Sequence, residues 1–131
     1  MVLCLLMAYV DTFAQNEDKV REKCRTYKKA FETHFGPGAQ PLFASKANCF
    51  KRLYEIMTEE GMGIDCVSSG ELYTAKRAGF PAERIYFHGN NKTDADLTYA
   101  VSLKVGHIVV DCHEELDALD RIAGEAGIRQ K

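Results

Sequence analysis

Four apolar runs in this chain each end on residues that can do chemistry. "PLFASK" ends on Lys46, "GIDCVS" carries Asp65 and runs on to Glu71, "RIYFHG" ends on His88 before "NNKT", and "HIVVD" is followed by Cys112 and His113. Lys46 has small neighbours, Ala44, Ser45 and Ala47, which leave room for a flat ligand. A lysine in a partly dry pocket gives up its proton more readily than one in water. It can then act as an amine nucleophile and form a Schiff base with a carbonyl. The bland alternative is a lysine that snorkels to solvent.

The other strand ends also admit two readings. Asp65 interrupts an apolar run, and a carboxylate there needs a partner; Lys46 would serve as one. Ser68 and Glu71 stand at capping-box spacing, so Glu71 is either a helix-start residue or a site residue. His88, Asn90, Asn91 and Lys92 form a dense polar loop that could be no more than a turn. Thr93, with Asp96 three residues on, reads as the cap of the next helix.

The elements that must hold these residues follow from periodicity. Val20, Cys24, Tyr27, Phe31 and Phe35 recur at helical spacing and form one face of a helix, with Asn16 as its cap. "GPGAQP" stops that helix. Four short apolar runs then alternate with four helical patterns, closed by Gly61, Gly79, Gly106 and Gly127. Alternation of this kind means a parallel sheet with right-handed crossovers. The repeat of about 22 residues suits a (β/α)8 barrel, in which chemistry sits at the carboxyl ends of the strands. The expected fold is α/β: a partial (β/α)8 barrel of four βα units, preceded by one strand, Leu5 to Val10, and one helix.

Composition restricts the partners. The chain has 131 residues, 46% hydrophobic and 27% charged, with a net charge of −2. That balance gives no electrostatic reason to expect nucleic acid or an anionic membrane. The apolar start "MVLCLLMAYV" is too short to span a bilayer, which takes about 20 residues. Five cysteines, an odd number without a C-x-x-C pair, fit reduced thiols in a cytoplasmic protein better than disulfides or zinc.

Three motifs carry a resemblance: "FASKAN", a G-x-D-x-x-S-x-G-E pattern from Gly63 to Glu71, and "HGNNK" from His88. Together they resemble the N-terminal part of the diaminopimelate decarboxylases. These are pyridoxal phosphate-dependent enzymes with an alanine-racemase-like TIM barrel. An alanine racemase would look like K-A-D-A-Y-G-H-G after the lysine, whereas Lys46-Ala47-Asn48-Cys49 stands here. An ornithine decarboxylase would look like N-P-C-K where this chain has Asn90-Asn91-Lys92.

The resemblance implies pyridoxal 5'-phosphate as cofactor, with Lys46 as the catalytic lysine that binds it. Asp65, Glu71 and His88 are implied as further cofactor-binding residues. The implied reaction is decarboxylation of meso-2,6-diaminopimelate to L-lysine, in a cytoplasmic protein that is a homodimer when full length. In the family the phosphate loop, the substrate arginines and a C-terminal β domain come later in the chain. These 131 residues are therefore expected to be an N-terminal part, inactive alone. Two alternatives stay open: another amino-acid decarboxylase of the same fold, of the ornithine or arginine type, and a non-catalytic homologue that binds a partner.

Overall fold

A computed structural model describes residues 17–131. The expected strand Leu5 to Val10 and the cap Asn16 lie outside the described residues. Helix α1 (Glu17–Phe35) comes first. Then come β1 (Leu42–Ala44), α2 (Lys51–Glu59), β2 (Gly63–Cys66), α3 (Ser69–Arg77), β3 (Ile85–Phe87), α4 (Asp94–Leu103), β4 (His107–Ile108) and α5 (His113–Ala126). Short 3-10 turns follow β1 (Ser45–Ala47) and precede β3 (Ala82–Arg84). Among the described residues, no helix is long and apolar enough to cross a membrane.

The four strands are parallel and lie in chain order, β1-β2-β3-β4. Partners across the sheet stand 21 positions apart: Leu42 to Gly63, Ile64 to Ile85, Tyr86 to His107. The chain after α5 returns to the free edge of β4, where the Ile108 N–H donates to the Lys131 carbonyl at 2.9 Å.

Side-chain alternation divides the sheet into two faces. Phe43, Ile64, Cys66, Ile85, Phe87 and Ile108 point to the helices and join Leu53, Tyr54, Met57, Leu72, Leu97 and Val101 in one core. Each such side chain, once buried, contributes roughly 1.5–3 kcal/mol. The opposite face carries the row Ala44, Asp65, Tyr86 and His107, residue beside residue across four strands. The Tyr86 and His107 rings stack at 4.2 Å with 10° between their planes. Core strands of this length would be apolar on both faces if both were only packed. Here one face is polar, and it is the face that a closed barrel turns inward.

The helices begin and end for local reasons, with three departures from expectation. Gly61, Gly79 and Gly127 have φ of 68°, 69° and 64°, as left-handed residues at helix ends should. Gly106 does not close α4; Lys104 does, at φ 55°. Gly106 serves a close approach instead, because a Cβ there would lie 2.2 Å from the Glu83 carbonyl oxygen. On α1, Cys24 is buried and Val20 and Tyr27 are packed against the core, but Phe35 is 62% exposed. Its ring rests on Phe31 at 5.3 Å. The strand expected over "HIVVD" is shorter, although the Val109 N–H still donates to the Phe87 carbonyl at 2.9 Å.

A cluster of ion pairs clamps α1 to α2. Glu60 receives Arg21 and Arg25 at 3.1 and 2.9 Å, Glu17 receives Arg52 at 2.8 Å, and Arg21 also contacts Glu59. The Arg25 guanidinium holds the Glu60 carboxyl below its ordinary value.

Thr93 and Asp96 form a reciprocal capping box on α4. The Asp96 N–H donates to Thr93 Oγ1 at 3.3 Å and the Thr93 N–H to Asp96 Oδ2 at 3.0 Å. The Thr93 hydroxyl beside it lowers the Asp96 carboxyl below the usual 3.8. Asp96→Ala should lower stability by about 1 kcal/mol in chemical denaturation. The depressed folded value means that this contribution is complete above the ordinary aspartate value and fades as pH falls through the folded one. The difference between wild type and variant should therefore shrink in strongly acidic buffer and stay constant from neutral pH upward.

Candidate active site at the strand carboxyl ends

The 3-10 turn Ser45–Ala47 lifts Lys46 out of β1. It is anchored from below by Ser45, which is fully buried with its Oγ 3.6 Å from Cys66 Sγ. Burial pushes the Cys66 thiol up to about 12, so it stays protonated and inert beneath the lysine. Lys46 itself is exposed, and among the described residues it enters no ion pair.

That arrangement corrects the expected Lys46–Asp65 pair. Asp65 is only 5% exposed and stays in the strand row beside Ala44 and Tyr86. Lys46 lies beyond the end of β1, after the backbone has left extended geometry, so strand alternation no longer aims it at its neighbour. The two residues share adjacent strand ends without a salt link.

Glu71 is 7% exposed and serves the loop between β2 and α3. Its backbone N–H donates to Ser68 Oγ at 3.3 Å, as the cap requires. Its carboxylate accepts from the Ser68 hydroxyl at 3.2 Å and from the Val67 N–H at 3.0 Å, one residue before the cap. Ser68 is in extended backbone geometry, which presents the Val67 N–H to the carboxylate. The helix-start reading of Glu71 is thus present in the geometry.

His88 follows β3. Its N–H donates to the Cys66 carbonyl at 2.8 Å, and its Nε2 lies 3.8 Å from Asp111 Oδ1 beyond β4. The next residue explains the glycine of "HGNNK": a Cβ on Gly89 would sit 2.5 Å from the Val67 carbonyl oxygen. The loops after β2 and β3 thus touch through bare backbone.

Lys92, one member of the polar loop after His88, is buried rather than turned to solvent. Its side chain is 1% exposed, and its Nζ lies 2.7 Å from the carboxylate of Glu115, itself only 6% exposed. Nothing in the sequence connects positions 92 and 115. Only helical spacing hinted at it, since Glu115 falls on the buried face of α5 with Leu119, Ile122 and Ala123.

Parallel βα units in chain order, with ionisable groups at successive carboxyl ends, define the class: this is the α/β arrangement of part of a (β/α)8 barrel. The family described as pyridoxal-dependent decarboxylase, pyridoxal binding domain, matches residues 17–130. The chain belongs to this pyridoxal-dependent decarboxylase family. It is 47% identical over 118 residues to the diaminopimelate decarboxylase of Mycobacterium tuberculosis, which covers 90% of this chain and 26% of that protein. It is 45% identical over 108 residues to that of Bacillus subtilis, covering 82% and 24%. Diaminopimelate decarboxylase from Helicobacter pylori, complexed with L-lysine, superposes with a TM-score of 0.78 at 30% identity, over 87% of this chain and 28% of that one. The chain thus spans about a quarter of the length of the relatives it matches.

Gly89→Ala should force the two loops apart and destabilise the protein by about 1–3 kcal/mol, as overpacking does. Glu71→Ala, which strands the Val67 N–H, should cost a similar 1–3 kcal/mol. Thermal unfolding checks both. An unchanged melting temperature in Glu71→Ala would return Glu71 to a purely cofactor-facing role.

Proposed function

We propose that these residues are the leading part of the barrel domain of a pyridoxal phosphate-dependent decarboxylase, one that converts meso-2,6-diaminopimelate to L-lysine in lysine biosynthesis. The observation that carries the reading is Lys46: a lysine on a buried anchor, exposed at a strand carboxyl end. It lies inside a stretch that is 47% identical to diaminopimelate decarboxylase. The proposal includes a cytoplasmic homodimer as the full-length assembly, with the C-terminal β domain supplied by chain beyond these residues.

The residues present fit the cofactor. An amine held in an ion pair would be slow to meet a carbonyl, and Lys46 is in none among the described residues. Lys46 would hold the group through Nζ. Asp65 and His88, at the ends of the two following strands, would border it, and Glu71 would act by ordering the loop between them. When bound, pyridoxal phosphate supplies an electron sink for the pair left by departing carbon dioxide. The task of this part of the chain is to hold Lys46 at one place on the rim. The Ser45 anchor restricts the turn, and the buried Cys66 thiol offers no competing nucleophile.

An ornithine- or arginine-type decarboxylase shares this fold and the lysine, and differs in what it accepts. A non-catalytic homologue would have no use for an accessible lysine at this point.

In the full-length protein, borohydride reduction followed by peptide mapping should place a pyridoxyl group on Lys46. A label on Lys51 or Lys92 instead would overturn the assignment. Carbon dioxide release should be faster from meso-diaminopimelate than from ornithine or arginine, with L-lysine as product. Lys46→Ala should lower that rate by roughly 10³-fold or more, as removal of a covalent catalytic group does. Turnover of ornithine in preference to diaminopimelate would move the protein to the other branch of the family.

A further inference from the structure

The Lys92 ammonium donates to two carbonyls, Gly89 at 2.5 Å and Val109 at 2.9 Å, and forms an ion pair with Glu115, whose Oε1 lies 2.7 Å away. These are its three partners. Each partner belongs to a different piece of structure: the loop after β3, the end of β4 and the first turn of α5. The Phe87 ring lies 5.9 Å away on the same side. A charge this deep carries a desolvation cost that an apolar pair would avoid. Packing alone therefore gives no reason for a lysine here.

The neighbours of the two carbonyls supply one. Gly89 directly follows His88, and Val109 lies two residues before Asp111. The ammonium thus joins the two backbones that carry the His88–Asp111 pair, whose near atoms are 3.8 Å apart. Gly89 is in turn seated against the Val67 carbonyl, so the joint also registers this corner against the loop after β2.

We infer that Lys92, with Glu115, is a positioning residue: a buried three-point brace that sets where His88 and Asp111 stand at the rim. It touches no reacting group and acts through the two loops. The part of this inference that concerns turnover rests on the proposed decarboxylase reading; the part that concerns loop position does not.

The test uses the full-length protein and three forms of it: wild type, Lys92→Met, and the paired variant Lys92→Met with Glu115→Leu. The paired variant fills the same space with apolar groups, which keeps the fold while removing the brace. Hydrogen–deuterium exchange read by mass spectrometry should rise in both variants in peptides spanning 88–92 and 109–113, and stay at the wild-type rate in β1 and α2. In the paired variant, with its melting temperature near wild type, kcat/KM for diaminopimelate should fall by as much as about 10²-fold, the scale of a misplacement near 1 Å.

Wild-type exchange in both segments of the paired variant overturns the brace. Faster exchange with unchanged kcat and KM overturns the positioning role and leaves a structural one. If the wild-type protein itself releases no carbon dioxide from any of the three amino acids, the proposed function fails, and the exchange comparison alone decides the brace.

Discussion

The constraint on which the rest depends is the constant parallel register of the sheet. A 21-residue step from each strand to the next brings equivalent positions into straight rows. One row, Phe43 with Ile64 and Ile85, is buried under helices. The adjoining row, Ala44 with Asp65, Tyr86 and His107, faces the other way. Because each strand has only two to four residues, the polar groups that follow it emerge almost at once. A slip of one residue would turn Asp65 into the helix core and Ile64 to the opposite face. Burial of the apolar row therefore sets the place of every polar one.

Short strands demand support from their loops, and each loop has a different device. The loop after β1 is a 3-10 turn anchored by buried Ser45. The loop after β2 is stitched by the Glu71 carboxylate to the Val67 N–H and the Ser68 hydroxyl. The loop after β3 relies on the absence of a side chain at Gly89 and on the buried Lys92 ammonium. These loops also brace one another, since His88 bonds to the Cys66 carbonyl and Gly89 abuts Val67. The rim is thus a connected polar surface above an apolar core. Catalytic groups are held this way in barrels, where loops vary and the scaffold stays rigid.

The ion-pair cluster between α1 and α2 illustrates a different kind of contribution. Arg25 and Arg52 meet Glu60, Glu17 and Glu59 from exposed positions, where each pair adds little to stability, while Arg21 reaches Glu60 in a half-buried setting. Their effect is mutual orientation of two helices whose apolar contact is narrow, with Cys24 the buried residue of α1. Lys92 and Glu115 have the same charges in a dry setting, and there the ammonium also donates to the Gly89 and Val109 carbonyls. The setting decides whether a charge pair steers or braces.

The sequence by itself determined the periodic part of this protein. Four apolar runs alternating with helices, closed at Gly61, Gly79 and Gly127, were enough for a parallel α/β sheet in chain order. The spacing of Lys46, Asp65 and His88 placed them at successive strand ends, because period and strand polarity are local properties of the chain. Only the tertiary structure decided which groups meet. The direct Lys46–Asp65 pair gave way because the chain leaves extended geometry at Ser45, and alternation stops there. Glu71 is tied into the loop because extended Ser68 presents the Val67 N–H to it. The Lys92–Glu115 contact had no pairing signal beyond the helical spacing that put Glu115 on the buried face of α5, since a pair 23 positions apart is created by the packing of α5 and not by any repeat. Gly106 departed from its expected role for the same reason: its neighbour is Glu83, a residue that only folding brings within reach.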